Sequence, residues 1–276
     1  MEIKKIQTQC ALSPTNISIA DYVINPYRGC EFACLYCYAQ ENKNIGKGKL
    51  TESLAIKTNI IEILKKELPT KKIQRVLLGS TTECFQPCEK EFHLSERIMQ
   101  ILNEKKIPFT ILTKSALIGS YAKTIAANKN NKVFFTINFA DEKTIRRIER
   151  NSSLLNERLA AINTLIAHGV SVRMHIGPFI PFLSDLIALI NIIPNGIHEI
   201  DVELYHHKLG NFEKISAIEP RLKVIYASKK NYETFCLQLK TEISGLSPRQ
   251  RLRFFFIAPD FDQFYKSSIN YETPLF

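Results

Sequence analysis

The chain of 276 residues is 45% hydrophobic and 23% charged, proportions that exclude a disordered or fibrous chain and suit one globular protein with a large core. No apolar run approaches the roughly 18 residues of a membrane span, and Met1 to Cys10 (M-E-I-K-K-I-Q-T-Q-C) lacks the apolar core of a secretion signal; a cytoplasmic protein is expected. The net charge of +10 is compatible with a polyanionic partner, but the lysines are spread along the whole chain and a solvated basic surface accounts for them equally well.

In chain order, short β-rich runs alternate with longer amphipathic stretches. Strands are expected at 22–24, 75–78, 109–112, 133–137, 172–176 and 200–204. Between them Leu94, Ile98, Ile101 and Leu102 share one helical face, as do Leu155, Leu159, Ile162, Leu165 and Ile166, the spacing of amphipathic crossover helices. Gly169 after His168 is the expected stop of the second helix. Six such units predict an α/β barrel or partial barrel, with a doubly wound open sheet as the alternative on pattern alone. Beyond Tyr205 the periodicity is weaker: helices are expected at 214–230 and 232–244, and R-F-F-F-I-A (253–258) reads as a buried strand or core plug. One domain over 1–276 is expected, with a core at about 20–205 and a C-terminal extension at about 206–276.

The densest chemistry lies in N-P-Y-R-G-C-E-F-A-C-L-Y-C-Y-A-Q, from Asn25 to Gln40. Cys30, Cys34 and Cys37 stand at C-x3-C-x2-C spacing on a short loop that follows the first strand. Seven cysteines is an odd number, and so tight a cluster reads as metal ligation in a reducing compartment rather than as a disulfide framework. Structural zinc takes four protein ligands, and iron-sulfur clusters are normally held by four cysteines. Three ligands from one loop leave a metal position open for chemistry. The alternative is a fourth ligand from elsewhere in the fold, which would make the chain a zinc-dependent nucleic-acid-binding or scaffold protein.

C-x3-C-x-(aromatic)-C, with Tyr36 as the aromatic, resembles the signature of the radical S-adenosylmethionine (radical SAM) superfamily, and N-P-Y-R-G-C with C-L-Y-C-Y-A resembles its branch of spore photoproduct lyase-like and DNA repair photolyase-like proteins. The resemblance implies a partial (β/α)6 TIM-like barrel, and an enzyme whose three cysteines hold a 4Fe-4S cluster with the free iron chelating SAM. It further implies reductive cleavage of SAM to methionine and a 5'-deoxyadenosyl radical that abstracts hydrogen, with an electron donor such as flavodoxin or ferredoxin. Nucleic acid is the favoured substrate class from branch and charge, with peptides and small molecules left open.

The same resemblance marks cofactor-binding candidates at the strand ends. Thr82 and Glu83, in L-G-S-T-T-E-C, resemble a pair placed near the amino acid end of SAM, Glu83 accepting from the amine and Thr82 donating to the carboxylate. Lys114, in I-L-T-K-S, resembles the lysine that pairs with the SAM carboxylate. Thr136 and Asn138, in T-I-N-F, are candidates for the methionine or ribose, and Gly177 would let adenine or ribose lie against backbone. Arg158, in N-E-R-L-A-A, also fits the branch and is expected to be structural. One departure is chemical: Ser80 stands where spore photoproduct lyases carry a hydrogen-donating cysteine. A hydroxyl O–H is a far poorer hydrogen-atom donor than a thiol, which counts against repair by that mechanism unless Cys84 or Cys88 on the same loop substitutes. Tyr205, His206 and His207, after the sixth strand, are peripheral candidates for facing the substrate, and Lys43, Lys47 and Lys49, with Arg249, Arg251 and Arg253, are the densest basic clusters.

Overall fold

The structure, a computed structural model, describes residues 1–41, 49–206, 211–250, 252–259 and 270–274. Seven parallel strands form its main sheet: β1 (Tyr22–Ile24), β2 (Val76–Leu78), β3 (Phe109–Thr113), β4 (Lys132–Thr136), β5 (Ser171–Phe179), β6 (Glu199–Leu204) and β7 (Arg253–Pro259). They lie side by side in sequence order, with a short antiparallel strand added at each edge, Ser13–Pro14 on β1 and Asn270–Pro274 on β7. A doubly wound sheet reverses its order at a switch point. This one never reverses, so the chain winds in one sense as in a partial TIM-like barrel.

Each crossover helix buries one face. Leu94–Glu104 turns Ile98, Met99 and Leu102 inward, and its start is capped by the Glu89 carboxylate, which accepts from the Ser95 and Glu96 amides. Leu155–Ala167 buries Ile162 and Leu165 with Ala161 and Arg158, while Leu155, Leu159 and Ile166 lie only partly buried. Gly169, at φ +75°, ends that turn as expected, its amide and that of Val170 bonding to the carbonyls of Ile166 and Leu165.

The C-terminal third differs from its expectation in two ways. The 214–230 helix is split into Phe212–Ile218 and Leu222–Ile225, because Pro220 lacks the amide a continuous helix needs; the next helix is longer than expected, Lys229–Gln250. The R-F-F-F-I-A run is the buried strand that was one of its two expected forms: it is β7, the seventh parallel strand, paired with β6. Phe254 and Phe256 pack into the core, and Phe255 faces the other way, against the Arg173 guanidinium at 4.3 Å.

A second, three-stranded sheet went unforeseen. Ser53–Lys57 pairs with Glu2–Ile6 on one side and with Tyr27–Arg28 on the other. Its function in the fold is to brace the cysteine loop, since Tyr27–Arg28 leads directly into Gly29 and Cys30. Among the described residues no helix is long and apolar enough to cross a membrane.

Candidate active site

The cysteine loop leaves the carboxyl end of β1 and is fastened on every side. Gly29 sits at φ +108°, and a Cβ there would stand 2.2 Å from the Ser53 carbonyl oxygen. Only glycine fits both the left-handed backbone and that close approach. The Cys30 amide then bonds to the Leu50 carbonyl at 2.8 Å, the Leu35 amide to Ile148 at 2.9 Å, and the Asn211 side chain donates to the Cys37 carbonyl at 2.5 Å. Glu31 grips the loop after β2, its amide donating to Gln86 and its carboxylate accepting from the Cys88 amide.

Cys30, Cys34 and Cys37 all line one cavity of about 170 Å³ at the carboxyl ends of the strands. Burial and then the neighbouring Cys37 push the Cys30 thiol up to about 12; burial, Glu149 and Cys30 push Cys34 to about 12; burial and Cys34 push Cys37 to about 11. Three thiols so placed become thiolates only beside a strong cation, as metal ligands do. Among the described residues, no three His, Cys, Asp or Glu side chains converge on a single ion. A cubane cluster makes a different demand, because each cysteine binds its own iron and the sulfurs stand apart. Three thiol donors on one loop, lining one cavity, are a donor set that suits an iron-sulfur cluster.

Behind the loop lies a buried polar network that holds Tyr36. The Tyr36 hydroxyl donates to Glu149, whose other oxygen forms an ion pair with Arg158 at 2.6 Å, both side chains fully buried. Asn138 donates to the Tyr36 oxygen at 2.9 Å and to Glu149 at 3.0 Å, and its carbonyl accepts from the Gly177 amide at 2.8 Å. Burial alone would raise the Glu149 carboxyl, but Arg158 and Lys114 hold it below the usual carboxylate value. Asn138 is thus no wall of the cavity: it ties the tip of β4 to Tyr36 and to β5. Arg158 has the structural position expected of it.

The remaining candidates sit on the cavity wall with roles that differ in detail. Glu83 accepts from the Phe85 amide, the Thr113 hydroxyl and the Lys114 amide; burial raises its carboxyl despite those bonds. Thr82 spends its one hydroxyl proton on the Gly29 carbonyl at 2.5 Å, so in this structure it braces the cysteine loop. Thr136 is buried and lines the cavity. Gly177 lines it too, but the space above its Cα holds the His175 imidazole, whose Nε2 would lie 2.0 Å from a Cβ. Lys114 projects over Tyr36, its ammonium 5.2 Å from the ring centroid. Among the described residues that ammonium has no hydrogen-bond or ion-pair partner within 4.0 Å. Burial would lower its pKa, yet Cys34, Glu149 and Glu83 hold it above the ordinary lysine value.

Ser80 lines the cavity, its amide and hydroxyl held by Asn25 and its carbonyl by the Tyr38 hydroxyl. Cys84 and Cys88 are buried and do not line the cavity, so neither stands where Ser80 replaces a thiol. Two residues unmarked by the sequence do line it, His175 on β5 and Glu203 on β6, along with Tyr205 and His206. Lys43, Lys47, His207 and Arg251 lie outside the described residues, as do the side chains of Lys49 and Arg249.

Comparison with known proteins decides the family. Residues 24–188 match the sequence model of the Radical SAM superfamily, more than half of the chain. The chain belongs to the radical SAM superfamily. An uncharacterized protein from Methanocaldococcus jannaschii is 32% identical over 188 residues, covering 67% of this chain and 71% of its own. One from Mycobacterium tuberculosis H37Rv is 31% identical over 173 residues, and there the match covers 59% of this chain and only 51% of the relative. Among solved structures, spore photoproduct lyase complexed with dinucleoside spore photoproduct superposes with a TM-score of 0.59 at 16% identity, covering 79% of this chain and 66% of that one. A substituted form of that lyase with bound AdoMet and the same dinucleoside gives 0.61, again at 16% identity with coverage of 79% and 66%. At that identity the likeness is one of fold. Superfamily membership makes the chain an enzyme and implies SAM and a 4Fe-4S cluster as its cofactors.

Proposed function

We propose that Cys30, Cys34 and Cys37 hold a 4Fe-4S cluster and that the chain binds SAM in the adjoining cavity to generate a substrate radical. When bound, the cluster supplies one electron, drawn from a donor such as flavodoxin or ferredoxin, that cleaves SAM to methionine and a 5'-deoxyadenosyl radical. The chain's own residues do the binding and orienting. Lys114 meets the SAM carboxylate, the spare acceptor capacity of Glu83 meets its amine, and Thr136 and the backbone at Gly177 face its methionine and nucleoside. Tyr36 fixes the loop between two ligands, and Asn138 acts through Tyr36 and Gly177 rather than by contact.

The observation that carries this reading is the unpartnered Lys114 ammonium in the same cavity as the three thiols. The ammonium is held charged by Cys34, Glu149 and Glu83 yet bonds to no acceptor among the described residues, so a ligand carboxylate gains a charge-assisted hydrogen bond there. A charged hydrogen bond is worth roughly 1.5 to 3 kcal/mol, so Lys114→Ala should weaken SAM binding about tenfold or more. Calorimetric titration checks it, and equal affinity in the two proteins would remove Lys114 from the site.

Nucleic acid is the substrate class we favour, supported by the charge of +10 and by a fold shared with a lyase solved with a dinucleoside. Phosphate contacts release counterions, so binding of DNA or RNA oligonucleotides should fall linearly with log salt and show slight sequence preference. Absence of binding at low salt would turn the search to peptides or small molecules.

A further inference from the structure

The side of β5 and β6 that faces away from the helices is polar. On β6, Ile200, Val202 and Leu204 are fully buried, while Glu199, Asp201 and Glu203 alternate with them. Parallel pairing sets Asp201 beside His175. In the deeper layer Arg173 answers both carboxylates, bonding Asp201 at 3.0 Å and Glu199 at 2.5 Å, with its guanidinium stacked on Phe134 and Phe255. That layer is neutralised within the protein. The layer above it is not: Glu203 is met only by imidazoles, with His175 Nε2 at 3.4 Å on one oxygen and His206 Nε2 at 3.3 Å on the other. No lysine or arginine pairs with it among the described residues.

This arrangement is built rather than incidental. The absence of a side chain at Gly177 is what admits the His175 ring to its place against Glu203. Glu203 lines the cavity and its side chain is 26% exposed. Burial would raise its carboxyl, but the bonds from His175 and His206 hold it well below the usual carboxylate value. It is an anion with both oxygens fixed in direction. Two imidazole donors use about half of the acceptor positions of a carboxylate, and what is left faces the cavity.

We propose that Glu203, held between His175 and His206, is the substrate-recognition group of the cavity, and that it takes a neutral or cationic N–H donor, such as an imide, amide or amine, rather than an anion. The inference rests on the reading above, in which SAM occupies the Lys114 end. An incoming carboxylate or phosphate would meet the charge of Glu203, whereas an N–H gains a charge-assisted hydrogen bond. A substrate group lacking that donor would leave Glu203 desolvated and unanswered, the arrangement by which buried polar groups reject isosteres most strongly.

Ligand-observed NMR titrations test it with three small probes, succinimide, N-methylsuccinimide and acetate, with and without saturating SAM. Succinimide should bind at least about tenfold more tightly than its N-methyl analogue, as expected for a charge-assisted bond, and acetate should show no saturable binding once SAM occupies the Lys114 end. Glu203→Gln should erase the preference while its melting temperature and SAM affinity stay near wild type. The proposal is overturned by equal binding of the two imides, by no saturable succinimide binding, by a preference that survives Glu203→Gln, or by a tenfold loss of SAM affinity in that variant, which would give Glu203 to the cofactor. If SAM does not bind the wild-type protein, the cofactor reading falls instead, and the titrations without SAM still decide the role of Glu203.

Discussion

Changing any one of Cys30, Cys34 or Cys37 to Ala will abolish SAM cleavage, not reduce it by a third. The three thiols share one cavity and one loop, and a cluster that loses a protein ligand loses the geometry that leaves a single iron open. Iron content after anaerobic reconstitution should fall well below four per chain in each variant, while far-UV circular dichroism of the metal-free protein stays unchanged, since the loop is fastened by Gly29, Glu31, Leu35 and Asn211 and not by the thiols. One single variant with a full iron complement and normal 5'-deoxyadenosine production would show that the three do not act as a set.

Arg158→Met will be the most destabilising single change in the site's support. It leaves the Glu149 carboxylate buried, still bonded by Tyr36 and Asn138 but without its counter-ion. Removing one member of a buried ion pair costs about 3 to 5 kcal/mol, whereas replacing both by apolar groups is often close to neutral. Urea unfolding of the metal-free protein should therefore show a large drop in midpoint for Arg158→Met, and the double variant Arg158→Met with Glu149→Leu should recover part of it. A single variant as stable as wild type would mean that the pair does not hold the loop.

The order of the barrel strands and the place of the cysteine loop were legible because they are local: apolar runs with breakers between them, and three ligands within eight residues. The polar interior was harder to read, though not invisible. S-V-R-M-H-I and E-I-D-V-E-L alternate charge with apolar side chains, the period of strands with one polar face, and that period would have pointed to His175 and Glu203. Glu149 offered no such signal, since Tyr36 is 113 residues away and nothing near Glu149 announces it. Gly177 and Thr82 show a third kind of limit. Their identities suited the cofactor, but the physical reasons visible in the fold are the His175 ring and the Gly29 carbonyl, contacts made across the chain. The small sheet of Glu2–Ile6, Ser53–Lys57 and Tyr27–Arg28 was missed because its members are short and far apart in sequence.

The most direct measurement is anaerobic reconstitution of the wild-type protein with iron and sulfide, followed by addition of SAM and dithionite and quantitation of 5'-deoxyadenosine. A brown protein with about four irons per chain that forms 5'-deoxyadenosine only when SAM and reductant are both present is the predicted result. A colourless protein that retains one tightly bound zinc, takes up no cluster and forms no 5'-deoxyadenosine would contradict the assignment of Cys30, Cys34 and Cys37.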